Sequence, residues 1–80
     1  MTHTILRLPA ILSSTGLSRS TIYLRIAQGI FTKSVSLGGR AVGWPASEVA
    51  AVNAARIAGK PDAEIRALVT HLEAARKAVA

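Results

Sequence analysis

The spacing of apolar positions changes character from segment to segment, and each change predicts an element. Leu8, Ile11, Leu12 and Thr15 recur at steps of three and four, which is one face of a helix. Pro9 suits the first turn of that helix, where its missing N–H would have no partner in any case. Gly16 marks the end, because glycine enters the left-handed conformation without a Cβ penalty. Leu17 then plugs a tight turn. Ser18 is a good N-cap, its hydroxyl placed to accept an N–H from the next turn. A second helix follows from about Arg19 to Gln28 and stops at Gly29. Ile22 and Ile26, one turn apart, face the core with Leu12 and Leu17. The opposite face carries Ser20, Thr21, Leu24 and Gln28, with Tyr23 and Arg25 on the flanks.

From residue 30 the period shortens. Val35 and Leu37 alternate with Ser34 and Ser36, and Val42 and Trp44 alternate with Ala41 and Gly43. Gly38-Gly39 between them is a two-residue hairpin signal, which puts Arg40 at the tip of a short β-hairpin. Pro45 ends the return strand and starts a helix, where Glu48 in the first turn suits the helix dipole. Val49, Val52 and Ile57 form the apolar side of that helix. Gly59-Lys60-Pro61 breaks it. A last helix runs from about Asp62 to the end of the sequence, with Ile65, Leu68, Val69, Leu72 and Val79 along one stripe. Met1–Leu6 reads as a short, partly extended lead-in. The expected fold is mainly α with a small β-hairpin: helix, tight turn, helix, hairpin, helix, and then a C-terminal helix. Residues 1–58 form the first unit and 59–80 a helical extension.

Composition narrows the function. A chain of 80 residues encloses too little volume for a large catalytic cavity beside its core. No cysteine is present, which excludes a disulfide framework and thiolate zinc sites. His3 and His71 have no ligand company, so neither reads as a metal site. No nucleophile pairs with a base, and Gly38-Gly39 sits in a hairpin rather than before a helix, so no nucleotide cradle is expected. The expectation is a non-enzyme without cofactor. Pro9, Gly16 and several hydroxyls break the uncharged run between Arg7 and Arg19, so no membrane span is expected. The lack of cysteine suits a cytoplasmic protein.

Charge adds the partner. Residues 1–47 hold Arg7, Arg19, Arg25, Lys33 and Arg40 and no acid, a net +5. Residues 48–80 hold five bases against Glu48, Asp62, Glu64 and Glu73, a net +1. A segment without acids has nothing to repel a polyanion, and double-stranded DNA is the leading partner.

The order of elements is that of a winged helix-turn-helix. The residues resemble the AlpA-type regulators of phages and integrative elements, relatives of excisionases and of MerR-like winged domains. The resemblance runs through Leu6-Arg7-Leu8-Pro9 and Thr15-Gly16-Leu17-Ser18-Arg19-Ser20-Thr21-Ile22-Tyr23. It continues through Gly29, Lys33, Val35, Leu37-Gly38, Arg40, Trp44, Ser47-Glu48-Val49 and Ala54-Ala55-Arg56. Leu24-Arg25 stands exchanged relative to the family, which usually has the base first. Thr32 and Ser34 stand where the family has prolines around the wing lysine.

The resemblance implies a DNA-binding protein of a mobile element, acting as an excisionase (recombination directionality factor), as a transcriptional regulator, or as both. It also implies an integrase as partner and head-to-tail copies on DNA. The C-terminal stripe has two readings, packing onto its own domain and self-association. The alternative from another class is a protein-interaction module that has lost DNA binding.

Within that frame the second helix enters the major groove. Arg19, at its start, can reach a guanine edge or a phosphate. Ser20 and Thr21 are short donors, and Thr21 has the competing role of capping the helix. Tyr23 is read either as a phosphate contact or as packing. Leu24 is read as a thymine-methyl contact or as packing on the wing or on another copy. Arg25 and Lys33 are backbone contacts, with Arg7 beside them. Arg40 is placed to enter a narrow minor groove, where negative potential is enhanced. Trp44 reads as core.

Overall fold

A computed structural model describes residues 4–78. Its elements in order are β1 (Ile5–Leu6), α1 (Leu8–Thr15), α2 (Arg19–Ala27), β2 (Val35–Gly38), β3 (Ala41–Pro45), α3 (Ala46–Ile57) and α4 (Asp62–Ala75), closed by a 3-10 turn at Arg76–Ala78. This is the expected winged helix-turn-helix with a C-terminal helix. The strands form an antiparallel sheet in the order β1-β3-β2. The lead-in is extended where expected: Ile5 pairs with Pro45 and Leu6 with Trp44, and the Ala46 N–H donates to the Thr4 carbonyl at 2.8 Å.

Local chemistry sets the helix ends. The Gly16 N–H closes α1 on the Leu12 carbonyl at 2.9 Å, with Gly16 left-handed. Ser18 caps α2, its Oγ accepting the Thr21 N–H at 3.3 Å. At the far end of α2 the Ile30 N–H reaches the Arg25 carbonyl and the Gly29 N–H the Ile26 carbonyl, a Schellman closure that turns Ile30 into the core.

One core serves the described residues. Ile11, Ile22, Ile30, Phe31, Trp44, Val49, Val52, Ile65 and Val69 are its buried members, so α4 shares the core with the winged unit. Leu68 and Leu72 are half-buried, and Val79 lies outside the described residues. The Trp44 indole N–H donates to the Thr32 carbonyl at 3.0 Å, which fixes the ring inside the core.

Two expectations need correction. Ile57 is 88% exposed and does not share the inward side of α3; Ala55 packs there instead. The chain is still helical at Ile57, but five residues beyond Val52 it stands about 140° around the helix from that side chain and so falls off the stripe. The hairpin turn is one residue further on than the Gly38-Gly39 signal. Gly38 pairs with Ala41, leaving Gly39-Arg40 as the turn. Gly39 has φ +57° and Arg40 does not have positive φ, the sign pattern of a II′ turn with glycine first. The shift comes from an irregularity between Ser36 and Gly38, where Leu37 is the extra residue.

The same register decides which residues share a face. Ser36 opposes Val42 and Val35 opposes Gly43. Trp44, Val42 and Leu6 therefore lie on one face, and Val35 and Ile5 on the other. Gly43 fits only because it has no side chain: a Cβ there would meet Ile5 Cγ2, the Leu6 carbonyl oxygen at 3.1 Å and Leu37 Cδ1 at 3.2 Å.

Candidate nucleic-acid interface

Helix α2 buries Ile22 completely and half-buries Ile26, which fixes what its other sides present. Ser20, Leu24 and Gln28 follow one another at four-residue steps along the outward side, and all three are exposed. Arg19 and Tyr23 occupy one flank, also one turn apart. The Arg19 guanidinium lies over the Tyr23 ring, 5.8 Å from its centroid. An exposed contact of this kind contributes only about 0.5–1 kcal/mol, so it pre-orients Arg19 without holding it back from a stronger acceptor.

Thr21 and Arg25 occupy the other flank. The Thr21 hydroxyl is engaged at the helix start, 2.9 Å from Ser18 Oγ, and the Ser20 hydroxyl lies 3.4 Å from the same atom. Thr21 therefore belongs to the cap network in the unbound chain. Arg25 is half-buried and lines a cleft of about 280 Å³ bounded by the end of α1, α2 and α3, shared with Thr15, Leu17, Phe31, Val52, Asn53 and Arg56. It does not stand on the outward ridge of Ser20, Leu24 and Gln28.

In the wing, Arg40 is exposed in the two-residue turn. Lys33 is exposed at the base, and its backbone is held on both sides. Its N–H donates to Glu73 Oε2 at 2.9 Å, and its carbonyl accepts from Arg76 Nη2 at 2.6 Å. Arg7 is exposed just before α1.

Among the described residues the acids pair only with cations of the second half of the chain, Arg56, Lys60 and Arg76, while Arg66 and Lys77 of that half have no carboxylate partner. Glu48 is buried and takes a two-pronged contact from Arg76, with Nε to Oε2 at 2.9 Å and Nη2 to Oε1 at 2.6 Å. Arg56 bridges to Asp62 at 2.9 Å and Lys60 to Glu64 at 3.8 Å. Glu73 takes the Lys33 N–H. All four acids thus have partners inside the fold. Among the described residues, no carboxylate comes within 4.0 Å of the cationic groups of Arg7, Arg19, Arg25, Lys33 or Arg40.

No local sequence signal marks the residues that hold this surface in place. Arg66 on α4 donates through Nε to the Gln28 carbonyl at 3.2 Å, at the end of α2. Arg76 and Glu73 hold the base of the wing, and Arg76 also holds Glu48 on α3. The Glu48 hydrogen bonds hold the Arg76 guanidinium above its usual range, burial pulls it back, and the charges of Glu48 and Glu73 raise it again. These partners lie 28 to 43 residues apart, beyond any spacing signal. His3 lies outside the described residues.

A family model described as the prophage CP4-57 regulatory protein (AlpA) matches residues 4–56. An uncharacterized protein of Enterobacteria phage P4, ORF88, is 54% identical to the chain over 55 residues, which are 69% of this chain and 62% of that protein. The chain therefore spans about three-fifths of the length of that curated relative. No solved structure matches. The matched segment takes in β1, the helix-turn-helix, the wing and nearly all of α3, and the chain belongs to the AlpA family of prophage regulatory proteins.

Proposed function

We propose that the protein is a sequence-specific DNA-binding regulator of a mobile element, with α2 in the major groove and the β2–β3 wing in the neighbouring minor groove. The observation that carries this reading is the division of charge. The acids are consumed inside the fold, and Arg7, Arg19, Arg25, Lys33 and Arg40 are left for a polyanion. Arg19 reads a guanine edge from the start of α2, and Ser20 and Tyr23 bond to phosphate or base from the same turn. Thr21 contributes through its cap, which orders the turn that faces the backbone. Arg25 and Lys33 meet phosphates at the margins. Arg40 enters the minor groove from the wing tip.

The finer role is control of excision or of transcription. An excisionase bends DNA for an integrase, and a regulator occupies a promoter; both use this one surface, with copies lined head to tail along the site. Membership of a prophage regulatory family supports a regulatory role at this coarser level. No described helix is long and apolar enough to cross a membrane.

The test is an electrophoretic mobility shift on tiled fragments around the protein's own gene, including an adjacent integrase attachment site, with excess random competitor. A discrete ladder on one fragment is the expected result. Its position beside the attachment core assigns excision control, and over a promoter, transcription control. Salt-sensitive smearing on every fragment would remove sequence-specific binding and leave a protein-interaction module as the better reading.

A further inference from the structure

Leu24 is the apolar residue that the outward side of α2 cannot account for by packing. It is 57% exposed and belongs neither to the core nor to the half-buried residues packed against it. It stands mid-helix on the ridge between Ser20 and Gln28, one turn from each. The cations lie to its sides: Arg19 leans over Tyr23 on one flank, and Arg25 lines the cleft beside α3 on the other. The centre of the ridge is therefore apolar and flanked by a hydroxyl and an amide, with positive charge only at its margins.

In the major groove one base-pair feature matches an aliphatic side chain, the C5-methyl group of thymine. Guanine offers two acceptors there and cytosine and adenine offer amino groups, and a leucine leaves all of these without partners. We propose that Leu24 is a specificity-determining residue that selects a thymine through its C5-methyl, with Gln28 and Ser20 serving the neighbouring edges. This rests on the reading of α2 as the groove-entering helix. The target site then carries a T·A pair at its centre, and Arg19 sets a separate G·C preference nearer the start of α2.

The experiment uses the full chain and a randomised duplex library. The best selected site is resynthesised with each thymine replaced in turn by deoxyuridine, which removes the methyl and leaves base pairing intact. Affinities are read by fluorescence anisotropy at one fixed salt concentration. We expect one position at which the replacement weakens binding about fourfold, the worth of one buried methyl-sized group. Leu24→Ala should bind that thymine and its uracil replacement equally, while keeping its guanine preference and its melting temperature. A uracil penalty of the same size in Leu24→Ala, or no penalty at any position, would overturn the assignment. So would a Leu24→Ala variant that loses only cooperativity between copies, which would make the leucine a protein contact. A library that enriches no sequence at all fails differently: it removes the underlying reading of α2, and the inference with it.

Discussion

Thr32 is fully buried, and its hydroxyl has no hydrogen-bond partner. A buried polar group left unsatisfied costs about 1–3 kcal/mol, and replacing it with an apolar group of the same shape removes that cost. Thr32→Val should therefore stabilise the protein by about 1 kcal/mol. The bond from the Trp44 indole is not at stake, since it goes to the Thr32 backbone carbonyl. Urea unfolding followed through Trp44, the single tryptophan, reads the change directly; a midpoint at or below that of the parent would mean that the hydroxyl is satisfied in solution. Gly43 gives the opposite sign for one added methyl. Its Cβ would run into Ile5 Cγ2 and press on the Leu6 carbonyl, a backbone atom that cannot swing away. Gly43→Ala should destabilise by about 1–3 kcal/mol, the usual cost of forcing extra volume into a packed site. The same urea measurement tests it, and an unchanged midpoint would mean that β1 leaves β3 without loss.

At the scale of elements, α4 governs how the parts sit together. It buries Ile65 and Val69 in the common core and reaches the end of α2 through Arg66 and the wing through Glu73, and Arg76 in the turn that follows it reaches the wing and α3. Arg76→Met leaves Glu48 buried without its partner. Breaking a buried pair costs about 3–5 kcal/mol, and the lower end applies here because the Arg76 side chain is 25% exposed. A Glu48→Met/Arg76→Met double variant should recover most of that loss; equal destabilisation of the single and double variants would show that the pair acts through something other than charge. The raised affinity of Arg76 for its proton gives stability that is fully present below the ordinary guanidinium range and lost only as pH rises beyond it. Arg76 therefore adds no slope to stability across neutral pH. A chain ending at residue 58 loses these contacts together, and we expect it to unfold without a cooperative thermal transition. The caps, the α2 face and the hairpin are legible in the sequence because their signals are local: Gly16, Ser18, Ile22 with Ile26, the alternation around the wing. The register is not, because one extra residue at Leu37 moves the turn by one position and sends Val35 and Val42 to opposite faces. Ile57 is apolar but five residues past Val52, a spacing that takes it off the inward side of α3. The α4 clamps depend on residues far apart in the chain, and no periodicity encodes them.

For the whole molecule the deciding quantity is how its cations are divided. Ten Lys and Arg give a formal net charge of +6, but this number overstates some regions and understates others. Arg56, Lys60 and Arg76 are committed to carboxylates, whereas Arg7, Arg19, Arg25, Lys33 and Arg40 are not; of the remaining two, Arg66 is bound to the Gln28 carbonyl and Lys77 has no carboxylate partner among the described residues. Releasing one condensed counterion per neutralised phosphate makes log K fall with log salt at about 0.9 per contact, so five contacts predict a slope near −4.5. Substitutions should then fall into three classes. Lys60→Ala, which removes a cation paired with Glu64, should leave both slope and sequence preference unchanged. Arg40→Ala should make the slope shallower by about 0.9 and weaken binding to selected and random duplexes alike, apart from any narrow-groove preference of the wing. Arg19→Ala should weaken the selected site by about 1–3 kcal/mol more than random DNA, because a guanine contact carries sequence information and a phosphate contact does not. Titrations of the three variants from low to moderate salt, each on both duplexes, separate these outcomes. Equal losses on both duplexes for Arg19→Ala would reassign it to the backbone and leave base reading to the outward ridge of α2. A slope change for Lys60→Ala as large as for Arg40→Ala would mean that attraction is spread over the whole basic chain, and that the internal pairing of its acids does not select the surface that meets DNA.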